Sequence, residues 1–315
     1  MESGEIVFSE PVSGVGCFPC PVMGSTTTVY ALGPRDDYLL VDAGDARQAE
    51  DFVKALESAG YRPGRGRAVI PTHGHPDHYG GAARLSAWAG GPVWAHPAAA
   101  VEIEDRWGGF AGAASLFART KPDGWEGFRA SAGAEVRVER MLREGDRVEL
   151  PGGGELEVLH APGHDRGELV LFDRARRLVF VGDLVQGGFD AAGNWLGLIH
   201  DPESQRRSLA RLAGLEAAWL FKGHRRPRSG EEVGRDIAAA QARVDRIEAV
   251  LLDALGGGAR LTSVQATRAA FRGVLGKEVG EPAAYALVTV EGFLAMLARR
   301  GQAVRDENLL WSAAG

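Results

Sequence analysis

Four side chains able to bind a metal stand within six residues of this chain: His73, His75, Asp77 and His78, in the stretch Pro71-Thr72-His73-Gly74-His75-Pro76-Asp77-His78-Tyr79-Gly80-Gly81. Imidazole is the commonest protein ligand for metals, and carboxylate adds a charged oxygen donor. The stretch follows the apolar, β-branched run Ala68-Val69-Ile70 and precedes Ala82, Leu85 and Trp88 at helical spacing. It therefore reads as a loop between a strand and a helix, where rigid elements hold side chains that the loop aims inward. His73 and His75 share one face of an extended segment, and Asp77 and His78 then turn towards a second position.

The same pattern, a strand and then a ligand-type residue, recurs three times downstream. Leu159 leads into Pro162-Gly163-His164-Asp165, Phe180-Val181 into Gly182-Asp183, and Trp219-Leu220-Phe221 into Lys222-Gly223-His224. Together His73, His75, Asp77, His78, His164, Asp183 and His224 supply five imidazoles and two carboxylates, a donor set suited to two adjacent zinc-type ions. A serine-nucleophile mechanism is not in competition, because the sequence contains no Gly-x-Ser-x-Gly elbow.

The elements that must carry these residues follow from period and punctuation. Strands are expected at 27–32 and 38–41, joined through Gly33-Pro34-Arg35-Asp36-Asp37, then at 67–72, 92–97, 136–138, 147–150, 156–159, 168–172, 177–181 and 218–221. Asp45 is expected to cap a helix, with Gln48 completing a capping box. Ala49, Phe52, Val53 and Leu56 would form that helix's buried stripe, and Gly60 its stop. A second amphipathic helix is expected from Pro202 to Leu215. His96, beside a proline and away from other ligand types, reads as structural. Residues 98–133 carry Trp107, Phe110, Leu116, Phe117, Trp125 and Phe128 among glycines and charges. They are either a helical lid over the site or an ordinary helical connection with core aromatics.

These assignments divide the chain into a catalytic domain, 1–230, and a small helical C-terminal domain, 231–315. The second would hold a long helix over Val233–Leu255, shorter pieces near 262–274 and 283–299, and a hairpin between Gly301 and Trp311, a winged-helix-like arrangement. At 315 residues and 45% hydrophobic, the chain can bury one large core with an appendage. A net charge of −6 leaves no basic footprint for nucleic acid, and no run approaches a membrane span. The acidic N-terminus lacks a signal-peptide pattern, which points to a cytoplasmic protein. Cys17 and Cys20 form a lone C-x-x-C; without a second pair it is no zinc ribbon, and two reduced thiols in an N-terminal loop are expected.

His73-x-His75-x-Asp77-His78, Pro162-Gly163-His164, Gly182-Asp183 and Gly223-His224, with Val41-Asp42-Ala43-Gly44 upstream, resemble the metallo-β-lactamase-fold hydrolase superfamily, including its glyoxalase II-like, lactonase-like and nuclease-like members. The resemblance covers about residues 20–228. It implies an α/β fold, an αββα sandwich with the metals at one edge. It assigns His73, His75 and His164 to a first metal and Asp77, His78 and His224 to a second, with Asp183 bridging. Asp42 would then orient a ligand imidazole, or else only shape the turn it occupies. Two loops depart from the family pattern: Asp165-Arg166-Gly167 after His164, and Arg225-Arg226-Pro227-Arg228 after His224. The basic cluster Lys222, Arg225, Arg226 and Arg228 is either a receptor for an anionic group, with Arg225 the candidate contact, or a solvated surface run. His200 is either a substrate-side residue or merely precedes the helix that Asp201 caps.

The expected activity is a dinuclear metal-dependent hydrolase. A hydroxide bridging two divalent ions, zinc first and manganese or iron as alternatives, would attack an ester, thioester or lactone of a small molecule. Asp77 would orient the nucleophile and take its proton. Two alternatives stay open. A phosphodiesterase or ribonuclease is disfavoured by a C-terminal segment with 10 Lys+Arg against 11 Asp+Glu. A mononuclear-iron, persulfide dioxygenase-like oxidoreductase would use only His73, His75 or His164, and Asp183. Self-association into a homo-oligomer is compatible with everything in the sequence.

Overall fold

The computed structural model describes residues 6–22, 25–105, 124–186 and 196–314. A seven-stranded mixed sheet runs in chain order through β1 (Ser9–Val12), β2 (Val15–Val22), β3 (Ser25–Leu32), β4 (Tyr38–Val41), β5 (Gly66–Ile70), β6 (Val93–Ala95) and β7 (Val138–Met141). Its pairing is antiparallel as far as β4 and parallel from β4 to β7. A six-stranded sheet holds β8 (Arg147–Glu149), β9 (Glu155–His160), β10 (Leu169–Asp173), β11 (Leu178–Phe180), β12 (Trp219–Phe221) and β13 (Arg228–Ser229) side by side. Here β11 and β12 are parallel and the other pairs antiparallel.

Side-chain alternation along these strands creates four layers. In β4, Leu39 and Val41 face the second sheet, where they meet Phe180, Leu171 and Leu178, while Tyr38 and Leu40 face the opposite way. That outer face is covered by α1 (Ala49–Ser58), α2 (Pro76–Tyr79), α3 (Ala82–Ala89) and α4 (Pro97–Glu104), which bury Phe52, Leu56, Leu85 and Ile103 against it. In β10, Leu169 and Leu171 point between the sheets and Val170 and Phe172 point outwards. The central strands are buried on both faces, and each fully buried Leu or Phe there contributes about 1.5–3 kcal/mol. The α/β sandwich of two helix-faced mixed sheets is therefore present.

After α5 (Gly124–Ala132), α6 (Pro202–Ala213) and α7 (Glu231–Leu255) lie on the outer face of the second sheet, with α8 (Ser263–Ala270) and α9 (Ala284–Arg299) beyond. Val233, Ile237, Val244, Ile247 and Leu251 of α7 and Val290, Phe293 and Leu297 of α9 form one apolar cluster with Val170, Phe172, Val179 and Leu209. The C-terminal segment thus shares a continuous core with the sheet. It ends in the expected hairpin, β14 (Ala303–Arg305) and β15 (Trp311–Ala313).

Two local expectations are corrected. The cysteines lie in a strand, β2, rather than a loop. Pro19 and Pro21 hide that strand in the sequence. The register with β1 runs only from Ser9↔Cys17 to Val12↔Val15, so the prolines fall where a missing ladder donor is tolerated. An odd spacing puts Cys17 between the sheets and Cys20 under the helices, on opposite faces, and both are free and buried. The capping box at Asp45 is also absent. Asp45 accepts the Arg47 N–H at 2.9 Å to start a 3₁₀ turn, and the Gln48 amide donates to the Pro21 carbonyl instead. As for residues 98–133, α4 buries Ala99, Ala100 and Ile103 in the core, as a helical connection would. Trp107, Phe110, Leu116 and Phe117, on which a lid reading rests, lie outside the described residues.

Candidate metal centre

β5, β9, β11 and β12 each run into a loop at one rim, and those loops bring all seven sequence candidates together. His75 is the residue before α2, Pro76 occupies its first turn, and Asp77 and His78 are carried on it. Gly223 is glycine for a steric reason. A Cβ there would stand 2.4 Å from His78 Cε1 and 2.7 Å from Asp183 Oδ1, so the backbone itself forms the floor of the site.

The donor atoms of His73, His75 and His164 lie within 4.8 Å of one another, and so do those of Asp77, His78 and His224. In the first triad His73 Nε2 and His164 Nε2 are 3.0 and 2.9 Å from His75 Nδ1. In the second, His224 Nε2 is 3.3 Å and His78 Nε2 3.8 Å from Asp77 Oδ2. Asp183 stands between the triads. Its Oδ2 is 3.7 Å from His164 Nε2 and 3.2 Å from His224 Nε2, and its Oδ1 is 3.6 Å from His78 Nε2.

The outer nitrogens of the rings fix which atoms face inward. His164 Nδ1–H donates to the Leu198 carbonyl at 2.8 Å, His224 Nδ1–H to the Thr26 carbonyl at 2.6 Å, and His78 Nδ1–H to Asp42 Oδ2 at 3.0 Å. His73 Nδ1–H donates to Thr72 Oγ1 at 3.0 Å, and that hydroxyl donates onward to Asp42 Oδ1 at 2.9 Å. In the neutral rings these partners put the protons on Nδ1 of His73, His78 and His224, and on His164 Nδ1 towards the Leu198 carbonyl, a nitrogen that the Gln186 Nε2 amide also touches; the Nε2 lone pairs then converge. His78 Nε2 is buried with no hydrogen-bond partner. An orphaned buried nitrogen costs about 1–3 kcal/mol unless something pairs with it, and a cation among the lone pairs would do so. Neutral imidazoles and carboxylates in threes are the donor sets of zinc-type ions, so the residues fit the metals that the sequence implies.

Asp42 is the shared anchor. Buried at φ +61°, it reaches His78 directly and His73 through Thr72, and also accepts the Thr72 N–H at 2.7 Å. Burial disfavours an imidazolium at His78, but Asp42, Asp77 and Asp183 outweigh it and raise its pKa to about 9. Burial also pushes Asp183 and Asp77 upward, yet the surrounding histidines hold both carboxyls below the usual range. His164 is pushed down to about 3 by burial and by the charge of His75.

Sequence reasoning missed several supporting groups. Glu168 is fully buried and accepts the Asp183 N–H at 2.9 Å; burial, with Asp183 and Asp165 nearby, raises its pKa well above the carboxylate range. An acidic residue opening the apolar strand run Leu169-Val170-Leu171-Phe172 was the available signal. Thr72, next to His73, had a weaker one. Gln186 spans the Leu198 peptide, its Oε1 accepting the Leu198 N–H at 2.8 Å and its Nε2 donating to the Leu198 carbonyl at 3.1 Å. Nothing local in the sequence marks that pairing.

His200 lies at the same rim, where burial, chiefly, and the charge of His75 lower its pKa to about 4. Asp201 caps α6 through the Glu203 and Ser204 N–H groups. His96 accepts the Ala98 N–H at 3.2 Å and stacks on His160, apart from the donor clusters. The basic cluster is mostly committed. Lys222 and Arg228 pair with Asp236 at 2.6 and 3.0 Å, and Arg226 with Glu232 at 2.6 Å. Arg225, at φ +71°, follows His224 directly and has no ion pair among the described residues.

Residues 22–224 match the profile of the family described as the metallo-beta-lactamase superfamily. The chain is 31% identical over 173 residues to an acyl-coenzyme A thioesterase MBLAC2 of Gallus gallus, the match covering 52% of this chain and 60% of that one. It is 28% identical over 179 residues to a hydroxyacylglutathione hydrolase of Pseudomonas paraeruginosa, covering 56% and 52%. The chain thus spans little more than half the length of these relatives. A solved beta-lactamase domain protein from Burkholderia ambifaria superposes with a TM-score of 0.77 over 100% of this chain and 95% of that one, at 20% identity. No helix among the described residues is long and apolar enough to cross a membrane.

Proposed function

This chain belongs to the metallo-beta-lactamase superfamily, and on that footing we propose that it is a dinuclear metal-dependent hydrolase that cleaves an acyl thioester, or a related ester or lactone, of a small molecule. The observation that carries the reading is the convergence of two donor triads with Asp183 between them. The thioester comes first because one relative is named an acyl-coenzyme A thioesterase.

When bound, a pair of divalent cations, zinc in the first instance, supplies Lewis acidity and lowers the pKa of water. The chain's own residues do the rest. His73, His75 and His164 would hold the first ion, Asp77, His78 and His224 the second, and Asp183 would serve both. Asp42 keeps His78 and His73 in the tautomer with an inward lone pair. Asp77, its side chain 25% exposed, faces the open side of the site. Ionised at neutral pH, it accepts a hydrogen bond from an attacking water and orients it. Arg225 and His200 lie at the rim, where an acyl carrier would approach.

The test is a panel of acyl thioesters, lactones, aryl esters and bis-aryl phosphodiesters on metal-loaded protein. Turnover of a thioester, abolished in His75→Ala and in Asp77→Ala, is the expected result. Full activity in both variants, or turnover of phosphodiesters alone, would overturn the assignment.

A further inference from the structure

The two triads share one anchor and differ in another. Both lean on Asp42, the first through Thr72 and His73 and the second through His78, and the second is completed by Thr26, near the N-terminus. The first depends on Leu198, whose carbonyl takes the His164 proton, and Leu198 sits in a loop pressed against α9. Thr289 of α9 is fully buried, and its hydroxyl donates to the Gly197 carbonyl at 2.7 Å and accepts the Ile199 N–H at 3.1 Å. The hydroxyl has one proton to give, and the alternative acceptor within the helix, the Tyr285 carbonyl, lies farther away at 3.1 Å. Thr289 therefore pins the residue on each side of Leu198.

One turn further along the same helix face stands Gly292. A Cβ there would lie 2.7 Å from the His200 carbonyl and 3.2 Å from that of Ile199. Glycine inside a helix costs about 1 kcal/mol relative to alanine, and close passage of the loop accounts for its presence. From α7, Arg243 Nη1 donates to the Gln186 carbonyl at 3.3 Å, and the side chain of Gln186 brackets Leu198.

We infer that the C-terminal helices complete the first metal site, with Thr289 acting as a positioning residue that sets the direction of His164 through the 197–199 loop. The inference rests on the two-ion reading above. It makes the segment after residue 230 part of the active-site machinery and predicts an asymmetry: loosening α9 from the loop weakens the first ion and spares the second.

Zinc titration of apo-protein against a competing chelator tests this without reference to turnover. Thr289→Val keeps the shape but strands the Gly197 carbonyl and the Ile199 N–H; Thr289→Ser keeps the hydroxyl. In a His224→Ala background, where only the first triad is complete, Thr289→Val should lower zinc affinity about tenfold, the lower end of the range for groups supporting a ligand. In a His75→Ala background, where only the second is complete, it should change affinity less than about twofold, and Thr289→Ser should match the parent in both. Equal weakening in the two backgrounds, or in neither, would overturn the inference while leaving a wild-type chain that binds two ions. Wild-type protein that binds no zinc would remove the two-ion reading and the inference together.

Discussion

Replacing Asp42 with asparagine tests the anchoring of both metal positions with minimal collateral change. Asparagine has nearly the same shape and tolerates the left-handed backbone at φ +61°. Its Oδ1 can still accept the Thr72 N–H and hydroxyl, now at 2.7 and 2.9 Å. The amide nitrogen, however, replaces the oxygen that sits 3.0 Å from His78 Nδ1, so a donor would face a donor. Relief comes by moving the His78 proton to Nε2, which removes the lone pair from the second site. A hydrogen bond to a charged group contributes about 1.5–3 kcal/mol. Losing a ligand's supporting partner costs about 10–100-fold in metal affinity, or about 1.4–2.7 kcal/mol, so the two estimates agree. Calorimetric titration of zinc into apo-protein should show the second site weakened by about 10–100-fold and the first by less. Wild-type affinity at both sites in Asp42→Asn would refute the argument that this carboxylate sets the tautomer.

Other outcomes follow from the same geometry. Because the carboxylates raise His78 to about 9 in the apo-protein, a cation must displace a proton there. Second-site affinity should therefore climb with pH up to about 9, whereas the stability that the imidazolium lends the apo-protein is present below about 6.5 and lost as pH rises through 9; a pH-independent titration would contradict this. Gly223→Ala should abolish second-site binding, since the added methyl meets His78 and Asp183 inside contact distance, and an unchanged metal content would count against the described floor. Burial pushes the Cys17 and Cys20 thiols up to about 11 and 12. A thiol reagent at pH 8 should therefore react only after denaturation, and no internal disulfide should form under oxidation; rapid native labelling would show that β2 is not where it is placed.

What the sequence discloses here, and what it withholds, has a physical pattern. The candidate ligand residues cluster in short loops directly after apolar strands, so both their chemistry and their placement at strand ends are local and readable. Strands such as Tyr38-Leu39-Leu40-Val41 read clearly because burial on both faces makes them uniformly apolar. β2 does not read as a strand, because Pro19 and Pro21 are turn signals unless one knows that β1 ends before reaching them. The basic run after His224 is ambiguous in sequence because its partners, Glu232 and Asp236, lie on a helix whose docking is a tertiary fact. Hardest of all are the supports of His164. A backbone carbonyl at Leu198 and a hydroxyl on α9, far along the chain, carry no sequence signature.

In the proposed function seven side chains act as one cage for two cations. Native mass spectrometry of apo-protein titrated with zinc measures that directly. It should record two ions on the wild-type chain and one on His164→Ala or His224→Ala. A wild-type chain that takes up no zinc, or a triple His164→Ala, Asp183→Ala, His224→Ala variant that still binds two ions as tightly as wild type, would contradict it.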